Sequence, residues 1–280
     1  MSRPLTRGAA LSPAWPLPLF LLRTAWGDQP FDALTGYVSG LAGSHLVEVT
    51  GDPVRMLDGV SPASGPTALL PGLITSLRRS GRTYPAPESL ALLTAAPGDS
   101  SSLPAVPAVR ADVAAAGWGV LVRDPATREA VCLTCVHPHA DVLRWRARGV
   151  ADCPVPPQPD GPSGALFALG QAVLEAAESI ERTTTRVGQV GGPDPDSPVT
   201  RLPSGLPSRV IELVDRIDRV EAIISVALAH PDLGVDPATR EPVLRRLVAV
   251  KDAARRSAVA AAGIAAAGGA AKGDAPLRGP

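Results

Sequence analysis

Between residues 30 and 124 the chain repeats one phrase three times: an apolar helical pattern, a short strand, then an acidic turn. The first copy is "FDALTGYVSGLAG" followed by "HLVEVTGD", in which Leu34, Val38 and Leu41 recur at helical spacing and Leu46, Val47 and Val49 make the strand. The second is "ALLPGLITSLRRSG" followed by "ESLALLTAAPGD", and the third is "VPAVRADVAAAG" followed by "WGVLVRD". Helices alternating with nearly continuous apolar strands predict an α/β fold whose small, layered sheet is mostly parallel and covered by helices.

After the third strand the pattern changes. "GVLVRD" and "AVCLTCV" are joined by "PATRE", where Pro125 fixes a turn, so an antiparallel hairpin extends the sheet. "DVLRWRARG" alternates Leu143 and Trp145 with Arg144 and Arg146, the pattern of a half-exposed strand whose arginines guard a sheet edge. Residues 153–163, "CPVPPQPDGPS", hold five prolines and read as a spacer.

Beyond the spacer the sequence predicts an α-helical hairpin or three-helix bundle. "ALFALGQAVLEAAESIERTTTR" aligns Leu166, Leu169, Val173, Ala177 and Ile180 on one face. "PSRVIELVDRIDRVEAIISVALAH" opens with Ser208 as N-cap and steps through Val210, Leu213, Ile217, Val220, Ile224 and Ala227. Its other face pairs Glu212 with Arg216 and Asp215 with Arg219 at i,i+4. A third helix runs through "REPVLRRLVAV" and "AARRSAVAAA". The expected organisation is a proline-rich segment 1–29, an α/β domain 30–152, the linker 153–163, a helical region 164–267 and a disordered tail 268–280.

Composition removes several functions. Lys+Arg and Asp+Glu are both 27, so no overall field recruits nucleic acid or an anionic membrane. Aromatic residues are 3% of the chain, too few for a base-stacking surface. Three cysteines suit a reducing compartment, which places the protein in the cytoplasm. The apolar run "AWPLPLFLL" behind Arg3 and Arg7 has the outline of a secretion signal, but Pro13, Pro16 and Pro18 interrupt the helix that a signal needs. No run approaches the roughly 20 apolar residues that span a bilayer.

Three sets of residues invite a chemical reading. Cys132, Cys135, His137 and His139, with Cys153 beyond, have the residue types of a zinc site. On a strand, however, residues three apart point to opposite faces, and "LT" between the cysteines offers no tight turn. The expected role is therefore a cysteine-filled strand followed by a loop carrying the histidines. Asp52, Asp99 and Asp124 each follow a strand, at the edge where α/β sheets bind ligands, and could hold a divalent metal or act as a base. Gly-Asp and Asp-Pro turns use aspartate in the same way without any ligand. Arg240, Arg245, Arg246, Lys251, Arg255 and Arg256 could dock phosphate, but Glu241 and Asp252 at i,i+4 from Arg245 and Arg256 mark a solvated helix face. Nucleophile-elbow, phosphate-loop and dinucleotide motifs are absent, so no cofactor is expected.

At "AAPGDSSSLPAVPAVRADVAAAGWGVLV" and "LPSGLPSRVIELVDRIDRVEAIISVALA" the chain resembles a group of uncharacterised actinobacterial proteins. That resemblance supports the cytoplasmic reading and carries no catalytic residue onto Asp99 or any other position. The sequence is thus read as a non-catalytic binding or interaction protein whose helical region meets a protein partner or a second copy of itself, without nucleic acid or membrane. The alternative is a small-ligand binder or hydrolase-like enzyme using Asp52, Asp99 and Asp124.

Overall fold

The computed structural model describes residues 14–27, 29–61, 65–81, 83, 86–95, 102–139, 141–183, 200–229 and 237–273. Those residues fall into two compact units. A sheet unit takes the described residues through Gln158, the segment Leu202–Pro207 and the chain from Val259 onward. A helical unit takes those of Pro159–Arg201 and Ser208–Ala258.

The sheet unit starts with α1 (Leu17–Trp26), a helix made from the proline-interrupted run. Pro16 and Pro18 stand at its very start, where a missing N–H leaves no helical bond unmade. Leu17, Leu19, Phe20, Leu21 and Leu22 are all buried, so this part of the proline-rich segment belongs to the core of the sheet unit. Next come α2 (Phe31–Ser39), β1 (Ser44–Gly51), α3 (Leu70–Ser80), the single turn α4 (Ala86–Ser89), β2 (Leu90–Thr94), α5 (Pro107–Ala116), β3 (Trp118–Arg123), β4 (Ala130–His139) and β5 (Val142–Val150). Each of the three helix–strand phrases forms at its expected place, and all the strands share one sheet.

Sheet direction departs from expectation. The order is β1-β5-β4-β3-β2, and only β1 with β5 is parallel, while the other three pairs are antiparallel. The sheet is mixed, not mostly parallel. The reason lies in what α5 does. Thr94 ends β2 directly opposite Trp118 at the start of β3, and Ala95 N–H donates to Gly117 O across the gap. The helix is an excursion inside a hairpin connection, not a crossover between parallel strands. Gly117 ends it at φ +83°, a conformation that glycine adopts without steric strain. β5 likewise is an interior strand, with β1 on one side and β4 on the other, so its arginines guard no edge.

Helices cover both faces of the sheet. On one, α1 packs on α3 and β2, and α3 packs on β3 and on 3-10 turns at Arg55–Leu57 and Pro66–Leu69. Trp26 Nε1 donates to Leu77 O at 2.7 Å, and Phe20 stacks on Tyr37 of α2 with ring centroids 4.1 Å apart. On the other face, Val109 and Val113 of α5 meet Leu93, Leu121, Cys132 and Val150. Burying each such large aliphatic side chain contributes about 1.5–3 kcal/mol. The segment Leu202–Pro207 is held to the end of α1: Arg23 Nε donates to Ser204 O at 3.0 Å and Ser204 Oγ to Gln29 Oε1 at 2.8 Å.

The helical unit holds α6 (Pro162–Thr183), α7 (Ser208–Ala229) and α8 (Pro237–Gly273) as far as Ala258. In α7 the expected seam is buried as far as Ile224, with Val210, Leu213, Ile217, Val220 and Ile224 at most 1% exposed, while Ala227 at its end is half-buried. In α6 the buried line is instead Ala165, Leu169, Ala172 and Ala176, while Ala177 and Ile180 face out. Small side chains let a neighbouring helix approach closely, so the packed face follows the alanines around Leu169, leaving Leu166 and Val173 half-buried at its side. α8 continues to Gly273, past the point where a disordered tail was expected; residues 274–280 lie outside the described residues.

Candidate functional site

Two of the strand-end aspartates, Asp52 and Asp124, come to one end of the strands but not to one place. Gly51 of β1 pairs with Gly149 of β5, Gly149 with Val131 of β4, and Val131 with Val122 of β3, so Asp52 and Asp124 both leave the same edge. Two strands separate theirs, and three strand spacings make the gap about 14 Å. Each carboxylate has its own separate partners. Asp52 Oδ2 accepts Ala151 N–H at 2.9 Å. Asp124 Oδ1 accepts Ala126 N–H at 3.0 Å, and its Oδ2 pairs with Arg79 of α3. Asp99 lies outside the described residues.

The soft-ligand stretch is strand throughout. Regular pairing over Ala130–Val136 turns Cys132 and Cys135 to opposite faces. Cys132 lies with Cys153 in the cluster under α5, and Cys135 stands opposite the buried Trp145. Burial pushes the Cys132 thiol well above its ordinary range and raises Cys153 to about 11, so both stay protonated and unreactive at neutral pH. His137 and His139 are exposed on β4 itself, beyond an irregularity after Val136, and not in the loop expected for them. Among the described residues no group of three or more His, Cys, Asp or Glu could hold a metal ion.

Sequence reasoning missed a charged cluster beneath α5. Asp112 is 5% exposed and takes Arg146 Nη1 at 2.9 Å and Arg148 Nε at 2.5 Å, both from β5. Arg146 also gives Nε and Nη2 to Glu48 Oε2 of β1, each at 3.1 Å. Burial works to raise the Asp112 pKa, but the bonds from Arg148 and Arg146 outweigh it and hold the carboxyl below its usual range. The same bonds, Asp112 first and then Glu48, raise Arg146. A signal was present in "VRADVAAAG", a lone carboxylate on an apolar helix face next to Val109 and Val113. This cluster ties α5, β1 and β5 together.

The helical unit has a second cluster, also unforeseen. Lys251, expected on a solvated face, is 2% exposed, and its Nζ lies 2.6 Å from Glu221 Oε2 of α7. Arg255 reaches the same oxygen at 3.1 Å and Asp252 Oδ1 at 3.3 Å. The period of α8 explains this: Leu244, Leu247, Lys251, Ala254 and Ala258 form its buried line, and Lys251 falls on it. Close by in sequence, Asp218 accepts Thr200 Oγ1–H at 2.6 Å and Thr200 N–H at 3.3 Å, yet burial prevails and raises its pKa. Of the i,i+4 pairs expected on this helix, Glu241–Arg245 forms at 3.6 Å.

The unit also presents an apolar surface. Phe167 is 69% exposed and Leu174 58%, seven residues apart on α6 and so on one face. The amino-terminal turns of α6 and α7 lie together, with Arg209 Nη1 donating to Ser163 Oγ at 2.9 Å. Between them is a groove of about 380 Å³ lined by Leu166, Glu212, Asp215, Arg216 and Arg219. No ion pair forms within that charged set, although i,i+4 pairs were expected there.

The molecule so defined is a mixed α/β protein with a separate helical unit, and no helix among the described residues is long and apolar enough to cross a membrane. The chain belongs to the Rv1486c-like family: the model of that family's N-terminal domain matches residues 23–160, and that of its C-terminal domain matches residues 163–259. No curated protein and no solved structure matches the chain.

Proposed function

We propose that this protein is a non-catalytic interaction protein of the cytoplasm, in which α6, α7 and α8 form a three-helix bundle that offers the outer face of α6 to a protein partner. The observation that carries this reading is the exposure of Phe167 and Leu174 on a helix whose alanines do the internal packing. Large apolar side chains aligned on a surface are the usual anchors of a protein interface. The non-catalytic part is supported by the separate engagement of the two carboxylates, Asp52 with the Ala151 amide after β5 and Asp124 within its own turn, and by the burial of the thiols. Three free cysteines without a disulfide suit a reducing compartment.

The test compares wild type with the double variant Phe167→Glu/Leu174→Glu in quantitative affinity capture from an extract of the native cell. Surface changes of this kind alter stability by no more than about 0.5 kcal/mol. At least one protein held by wild type should be lost from the variant. Recovery of the same proteins by both would overturn the reading.

A further inference from the structure

The sheet has two edges, and they differ. β2 is buried at Leu90, Leu92, Leu93 and Thr94, whereas β1 exposes Ser44, Leu46 and Gly51. In β1, Ser44 N–H donates to Asp141 O and Asp52 N–H to Gly149 O, each at 3.0 Å, so even-numbered residues turn their amides toward β5. Successive strand residues point these groups to alternate sides. His45, Val47 and Val49 therefore present N–H and C=O outward, where no described residue pairs with them.

We propose that a second copy of this chain occupies that edge, its β1 running antiparallel about a two-fold axis at Val47 so that two five-stranded sheets become one of ten strands. Charge and register both favour this occupant. On the face shared with α5, Val136, Arg144 and Leu46 form one row across three strands, with Leu46 49% and Val136 38% exposed. Arg144 is the β5 arginine of that face that makes no ion pair among the described residues, while Arg146 and Arg148 each have a carboxylate. Glu48 uses Oε2 for both Arg146 donors, leaving Oε1 available.

Pairing at Val47 sets Leu46 opposite Glu48 of the second copy. Glu48 Oε1 then faces Arg144 of the other copy two strands away, about 9.6 Å between backbones, a span that glutamate and arginine side chains bridge together. Symmetry makes this contact twice. It also places His45 and Val49 as the hydrogen-bonded pair flanking Val47, and covers an edge that would otherwise template aggregation.

Light scattering after size exclusion, on the full chain over a range of concentrations, should show a mass rising from 28.7 kDa toward twice that value. Arg144→Glu and Val47→Pro should each return it to the single-chain mass; proline at 47 removes an outward donor and no bond to β5. Because a proline variant can fail by misfolding, a second measurement fixes the register. Leu46 and Glu48 of the other copy form a non-hydrogen-bonded pair with Cα atoms about 4.5 Å apart, within disulfide range. A mixture of Leu46→Cys chains and Glu48→Cys chains should cross-link under mild oxidation far more than either alone, the native cysteines being buried. A single-chain mass at every concentration, a dimer indifferent to Arg144→Glu, absent cross-linking, or dissociation by Phe167→Glu/Leu174→Glu instead would each overturn the proposal.

Discussion

Asp112 shows how one carboxylate organises its surroundings. Replacing it with asparagine leaves Arg146 and Arg148 under α5 without their shared counter-charge, and because those arginines retain some solvent access the expected loss is about 2–3 kcal/mol, read from the urea midpoint. Its folded pKa is lowered, so the stabilisation is present above the unfolded value near 3.9 and fades as the pH falls through the folded one. The gap between wild type and Asp112→Asn should therefore be full at neutral pH and close below about pH 4; a gap that widens in acid would refute this account. Asp218 has the opposite sign. With its pKa raised by burial, it contributes stability at low pH that is lost as the pH rises through its folded value. Asparagine there can accept Thr200 N–H and donate to Thr200 Oγ1, so Asp218→Asn should equal or exceed wild type in stability at pH 7, with no gain near pH 4. A loss above about 1 kcal/mol at pH 7 would show that the carboxylate is needed as such.

Among the elements, α7 and α8 share the most consequential contact. Glu221→Gln leaves Lys251 buried with only Asp252 near it, at 3.8 Å, and should destabilise by about 3–5 kcal/mol. The double change Glu221→Leu/Lys251→Met removes both charges while Arg255 keeps Asp252, and should recover most of that loss in the same unfolding assay. How far each element could be read from sequence follows from what signals it. The α7 seam was legible from Val210 to Ile224 because large aliphatics mark each of those steps, and it lapses at Ala227. The α6 seam was not, because alanines pack it and carry no contrast against an alanine-rich background. Strand positions were legible from local pattern, but strand direction was not: a helix between two strands has the same sequence whether it crosses over or, like α5, departs and returns at one end. Arginines alternating along β5 look the same at an edge and in the interior; only Asp112 and Glu48, 34 and 98 residues distant from Arg146, decide between them. Of the candidate site, the turn bond of Asp124 and the inward cysteines follow from local chemistry, whereas the bond of Asp52 to Ala151, 99 residues away, has no local signal and the exposed face of α6 emerged only when its inner line was known.

For the whole molecule, the two units are not two contiguous lengths of chain. The sheet unit takes back Leu202–Pro207 between α6 and α7, through Arg23 and Gln29. A protein ending at residue 160, where the first family model stops, lacks that segment and the chain from Val259, and should show a lower urea midpoint for the sheet than the full chain does. The parallel pair β1 and β5 has a consequence for the order of folding. β3, β4 and β5 form a meander closed by short turns, while β1 must find β5 across nearly a hundred residues, and loop-closure entropy delays such pairings. The meander should be structured early and β1 should dock late, so truncations in β1 speed unfolding while those in β3 and β4 slow refolding. In that interval β5 is itself an open border, lined by arginines whose mutual repulsion keeps nascent chains apart until Glu48 arrives.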